Sequence, residues 1–137
     1  MERQNVFKIT YIRNGSERVH YARSIEEKNK DLQYIREHDT LVSCKKCYPI
    51  NMEKNQHNFL LVYNICFNIM SDMDDGDIPF DGEKYDELYE RREKAEEFMN
   101  SYGMFNSQIS WFTWDEYKEA KEMIAFACMH RDMANNY

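Results

Sequence analysis

The chain has 137 residues, 42% of them hydrophobic and 31% charged, with only four glycines, two prolines and a formal net charge of −7. At that length folding buries about 70% of the surface an unfolded chain exposes, so a hydrophobic core suffices without disulfide staples. The charge is uneven: residues 1–49 carry ten Lys/Arg against seven Asp/Glu, a net of +3, while residues 71–98 carry twelve acids against four bases, a net of −8. Phosphate contacts need clustered cations, so this balance argues against a free-standing nucleic-acid binder.

The opening "MERQNVFKITY" lacks the apolar stretch of a secretory signal. The most apolar run, "FLLVYNICFNIM", falls short of the ~20 residues a membrane span requires. The expectation is a cytoplasmic protein without membrane partners. In a reducing compartment its cysteines read as thiols or metal ligands rather than disulfides. Aromatic residues reach 15% and methionines number nine. Such side chains serve either a core of large residues or a protein-contact surface.

"VFKITYIRNGSERVHYAR" is a hairpin signal, two β-rich runs around Asn14-Gly15. A two-residue turn pairs Ile9 with His20 and Phe7 with Ala22. A three-residue loop, Arg13 to Gly15, pairs Ile9 with Val19 and Phe7 with Tyr21. The second register gathers Phe7, Ile9, Val19 and Tyr21 on one face, and is the one expected. "RSIEEKNKDLQYIREHD" then predicts a helix with a Ser24–Glu27 capping box and an apolar stripe of Ile25, Leu32 and Ile35. "TLVSCKKCYPI" reads as a third strand stopped by Pro49.

Residues near 52–71 are apolar on most sides, with a polar line through His57, Asn64 and Asn68, which predicts a central buried helix. "DMDDGDIPFDG" is an acidic loop. Asp81 caps a helix over roughly 82–101, with Phe80 and Tyr85 as a hydrophobic staple. The expected core row is Tyr85, Leu88, Tyr89, Ala95, Met99 and Tyr102, and Gly103 is the stop. "MFNSQIS" reads as a polar turn. Thr113 with Glu116 makes a second capping box and Phe112 with Tyr117 a second staple, opening a last helix through "WDEYKEAKEMIAFACMHRDM". The whole is expected to be one α+β domain: a small antiparallel sheet with a ββαβ start over 1–50, then three helices over 51–137.

Cys44 and Cys47 form a C-x-x-C pair, and two thiolates from one tight turn are half of a structural zinc site. Lys45 and Lys46 between them would favour the deprotonated form. In a regular strand the two side chains would point to opposite faces, so joint ligation requires a turn or bulge at Lys45-Lys46. The third ligand is one of His57 or Cys66. These lie nine residues apart, about 13 Å along one helix and on opposite sides, so both cannot serve. Cys128 and His130 are further candidates, as are His20 and His38, although Cys66 and Cys128 in apolar helical rows also read as core cysteines. No glycine-rich phosphate loop, H-E-x-x-H or nucleophile elbow is present, so no enzyme is expected. A metal-dependent enzyme would need Glu53, the acid local to the C-x-x-C, as its base.

The acidic segment "SDMDDGDIPFDGE" fails as a calcium loop, because either glycine placed sixth leaves no glutamate at position twelve. Beside a merely solvated loop stands a functional reading: Asp72, Asp74, Asp75, Asp77, Asp81 and Glu83 present a negative field to a basic partner. Trp111 and Trp114 are the accompanying candidate anchors.

In length, acidity and its ββα start ("KITYIRNGSERVHYARSIEE"), the chain resembles small phage-encoded anti-CRISPR proteins that inhibit the type II RNA-guided nuclease. The resemblance implies a non-catalytic inhibitor that binds a basic nuclease and blocks nucleic-acid loading, with zinc as a structural staple. The alternative is a zinc-stabilised regulator contacting nucleic acid through Lys8, Arg18, Lys45 and Lys46.

Overall fold

A computed structural model describes residues 5–101 and 108–135. In chain order it has β1 (Val6–Arg13), β2 (Ser16–Ala22), α1 (Ile25–His38), β3 (Thr40–Asn51), α2 (Met52–Asp74), α3 (Gly82–Met99), β4 (Ile109–Thr113) and α4 (Trp114–Asn135). The fold class is α+β. Four antiparallel strands are ordered β2-β1-β3-β4, with four helices. The fourth strand replaces part of the expected polar turn. "ISWFT" is β-branched and aromatic, and its last four residues are buried, so packing overrides the local turn signal. The chain groups into two compact units: residues 1–49 with 111–117, and residues 50–110 with 118–137.

In the first unit the hairpin adopts the two-residue turn, not the three-residue loop. Phe7 pairs with Ala22, Ile9 with His20 and Arg13 with Ser16. Asn14 at φ 52° and Gly15 at φ 79° both occupy the left-handed region. That is the turn whose twist suits a two-residue hairpin. The expected register rested on burying Val19, but Val19 is 47% exposed on an edge strand and exerts little pull. Ile9, Ala22, Leu32 and Ile35 form the core between sheet and helix, with Phe7, Tyr11, Leu41 and Cys44 packed around them. Ser24 Oγ accepts from the Glu27 N–H at 3.1 Å and Glu27 accepts from the Arg23 N–H at 3.3 Å, closing the start of α1. Asp39 at its end takes two hydrogen bonds from Arg13, at 3.0 and 2.9 Å.

In the second unit α2 and α3 run antiparallel. Phe59 meets Phe98 edge-to-face at 5.9 Å near one end, and Tyr85 donates to Asp74 at 3.3 Å near the other. Asn51 and Asp81 cap the two helices by accepting from the Lys54 and Lys84 amides. The buried stripe of α2 is Met52, Phe59, Val62, Cys66, Met70 and Met73, at helical spacing. Leu60 and Phe67 stand 44% and 48% exposed, so the helix is covered on one side rather than all round. On α3 the buried residues are Leu88, Ala95 and Phe98. Of the expected row, Tyr89 is 47% exposed, Tyr85 and Met99 are half-buried, and Tyr102 and Gly103 fall outside the described residues. Asn58, buried in this unit, accepts a hydrogen bond from Arg131 of α4 and donates to Asn55 at 3.1 Å.

Candidate functional site

The C-x-x-C pair does not converge. β3 pairs with β1 without interruption through Lys45 and Lys46: Cys44 stands opposite Ile9, Lys45 opposite Lys8, Lys46 opposite Phe7 and Cys47 opposite Val6. The one irregularity lies between Thr10 and Tyr11, so no bulge reorients the cysteines. They therefore point to opposite faces of the sheet. Their surroundings agree: Cys44 packs against the α1 core and feels Lys28 and Arg36, whereas Cys47 feels Glu116 and Lys8. Burial pushes the Cys47 thiol from 9.0 up to about 11, outweighing the neighbouring lysine, and raises Cys44 and Cys66 as well. Without a metal beside them, these thiols are held protonated.

The remaining zinc candidates have separate surroundings. His57 is exposed and Cys66 is buried in the core stripe of α2. Cys128 is exposed, while the His130 ring lies against Phe126 at 4.1 Å. His38 stacks on Tyr34 at 4.1 Å and bonds its carbonyl. Among the described residues, the group whose ligand atoms lie within 4.8 Å of one another is instead His20, Glu27 and Asp31.

The cations proposed for nucleic acid divide in the same way. Lys8 and Lys45 pair on the Cys47 face of the sheet, with Lys8 also 3.8 Å from Glu116. Arg18, opposite Tyr11, and Lys46, opposite Phe7, lie on the α1 face. The sheet thus separates them instead of building one phosphate-binding patch.

The acidic segment is different. Asp72, Asp74, Asp75, Asp77, Asp81 and Glu83 are all exposed. Among the described residues none of them is ion-paired to a lysine or arginine, whereas Arg92–Glu93 and Lys94–Glu97 pair further along α3. The loop is held by its own backbone, with the Asp77 and Ile78 amides donating to the Asp72 carbonyl at 2.9 and 3.4 Å. Gly76 at φ 79° makes the reversal possible. Next to Asp81 stands Phe80, 67% exposed, its ring 5.6 Å from Tyr85. A shallow groove lined by Met73, Ile78, Pro79, Phe80 and Lys84 runs beside it. The staple was legible in the sequence. That its phenylalanine remains mostly in solvent was not, and the "IPF" between aspartates was the available signal.

The two tryptophans separate. Trp111 lies on β4 at 9% exposure and is a core residue, correcting its reading as a surface anchor. Trp114 is 51% exposed and sits in an aromatic group with Tyr48, edge-on at 5.1 Å, and Tyr117, stacked at 5.9 Å. No helix among the described residues is long and apolar enough to cross a membrane. Compared with protein families, with curated proteins and with solved structures, the chain matches none of them.

Proposed function

We propose that this protein is a non-catalytic interaction module whose acidic segment docks onto a cationic protein surface. The observation that carries the reading is the set of exposed carboxylates from Asp72 to Glu83, ion-paired to no lysine or arginine among the described residues, with an exposed Phe80 between Asp77 and Asp81 in sequence. Carboxylates at the rim accelerate encounter with a basic partner and set its orientation. An aromatic side chain at the centre, once desolvated in a pocket, supplies most of the affinity. A surface of this kind competes with nucleic acid for a phosphate-binding cleft, because both present closely spaced negative charge.

The resemblance to anti-CRISPR inhibitors makes a type II RNA-guided nuclease in the bacterial cytoplasm the first partner to try. Its channels for guide and target strands are strongly basic. A gel-shift assay with labelled DNA separates the readings. The inhibitor reading predicts no shift by this protein alone, and loss of the nuclease–DNA band when it is added with guide RNA present. A shift by the protein alone, falling steeply with salt, would favour direct nucleic-acid binding instead.

A further inference from the structure

We infer that His20, Glu27 and Asp31 form a divalent transition-metal site that ties the edge strand β2 to helix α1, one ion being held by one imidazole nitrogen and two carboxylates. His20 Nε2 lies 2.8 Å from Asp31 Oδ2, and one ligand atom from each of the three residues falls within 4.8 Å of the others. Metal–ligand bonds of about 2.1 Å place neighbouring ligand atoms roughly 3.0–3.4 Å apart in octahedral or tetrahedral shells. The spacing of the cluster is thus within reach of that shell.

The fold prepares this arrangement twice over. Glu27 and Asp31 are four residues apart on α1 and share a helical face. The two-residue turn places His20 opposite Ile9, which faces α1. The three-residue register would have turned His20 to the other side of the sheet. Glu27 is fixed by the capping box, with one carboxylate oxygen on the Arg23 amide at 3.3 Å, and its second oxygen remains for an ion. Arg13, which borders the adjoining cavity, is committed to Asp39 by two hydrogen bonds.

A cavity of about 170 Å³ bordered by Tyr11, Arg13, Tyr34 and Ile35 adjoins His20 and Asp31, leaving room for water to complete the shell. One nitrogen and two oxygens with no sulfur suit Zn²⁺, Co²⁺ or Ni²⁺; calcium prefers oxygen alone and Cu⁺ prefers sulfur. The consequence is a clamp. β2 has only Ala22 buried, so a metal bridge to α1 would hold an edge that packing barely secures.

The test uses the full chain stripped with chelator, titrated with ZnCl₂ by calorimetry and melted with and without the metal. Wild type and the Cys44→Ser/Cys47→Ser double variant should both bind one zinc, and saturation should raise the melting temperature by about 4 °C or more. His20→Gln and Asp31→Asn should each weaken binding more than about tenfold while keeping the metal-free circular dichroism spectrum. Cobalt bound to wild type should give ligand-field bands without thiolate charge transfer, a readout that needs no variant to fold. The inference is overturned by no binding of zinc, cobalt or nickel, by unchanged affinity in His20→Gln, or by loss of binding in the cysteine double variant.

Discussion

The opposite-face placement of the C-x-x-C pair has a measurable chemical signature at Cys47. Its thiol is buried and raised from 9.0 to about 11. At pH 8 the thiolate fraction falls roughly 90-fold relative to an unshifted thiol; the greater intrinsic nucleophilicity of a more basic thiolate returns about eightfold. Ionisation alone thus slows alkylation on the order of tenfold, and 3% exposure slows it further. Limited iodoacetamide labelling followed by peptide mass spectrometry provides the rates, with the exposed Cys128 as internal reference. Cys47 should be the slower by well over tenfold, and mild oxidant should yield no Cys44–Cys47 disulfide. Equal labelling would mean that the Cys47 thiol is not buried as described, and a disulfide within the pair in protein that keeps its native circular dichroism would mean that the two sulfurs meet and the strand register is wrong.

Three further outcomes follow from the packing. Phe59→Ala empties a fully buried site against Phe98 and should cost about 3–5 kcal/mol, lowering the melting temperature by about 10–17 °C. Gly15→Ala meets no atom within 4 Å but must hold φ 79°, so strain alone should cost about 1–2 kcal/mol, whereas Gly82→Ala at the start of α3 should be neutral or slightly stabilising. Arg13 holds the Asp39 carboxyl below its ordinary 3.8. A depressed carboxylate stabilises the fold above that ordinary value, and the contribution is lost as pH falls through the lower folded one. Acid melts of wild type and Asp39→Asn should therefore converge as pH falls well below the ordinary carboxylate range; a gap that does not narrow with falling pH would remove ionisation as its source.

Local signals carried most of the fold. The caps at Ser24 and Asp81, the Phe80–Tyr85 staple and the Asn-Gly hairpin are short-range chemistry, and each sits where its residues place it. The errors came where tertiary context decides. The apolar set that favours the three-residue register includes Val19, yet an edge strand has few neighbours to enforce such a set. β4 was hidden because five residues of strand beside a polar turn carry little periodicity. Spacing suggests that Cys44 and Cys47 act together, whereas uninterrupted alternation along β3 sets the two side chains on opposite faces. The His20–Glu27–Asp31 group was invisible in sequence because its members come from two elements whose approach depends on that same register.

Whether the acidic segment is what a partner sees can be measured directly. Association of the protein with an apo type II RNA-guided nuclease can be followed by interferometry at 50 and 300 mM salt, for wild type and for two variants. One variant changes Asp72, Asp74, Asp75 and Asp77 to asparagine; the other is Phe80→Ala. The expected pattern is an association rate that drops about tenfold or more with salt in wild type, is already slow in the asparagine variant, and is kept in Phe80→Ala while dissociation quickens. Association indifferent both to salt and to loss of those four carboxylates would contradict it.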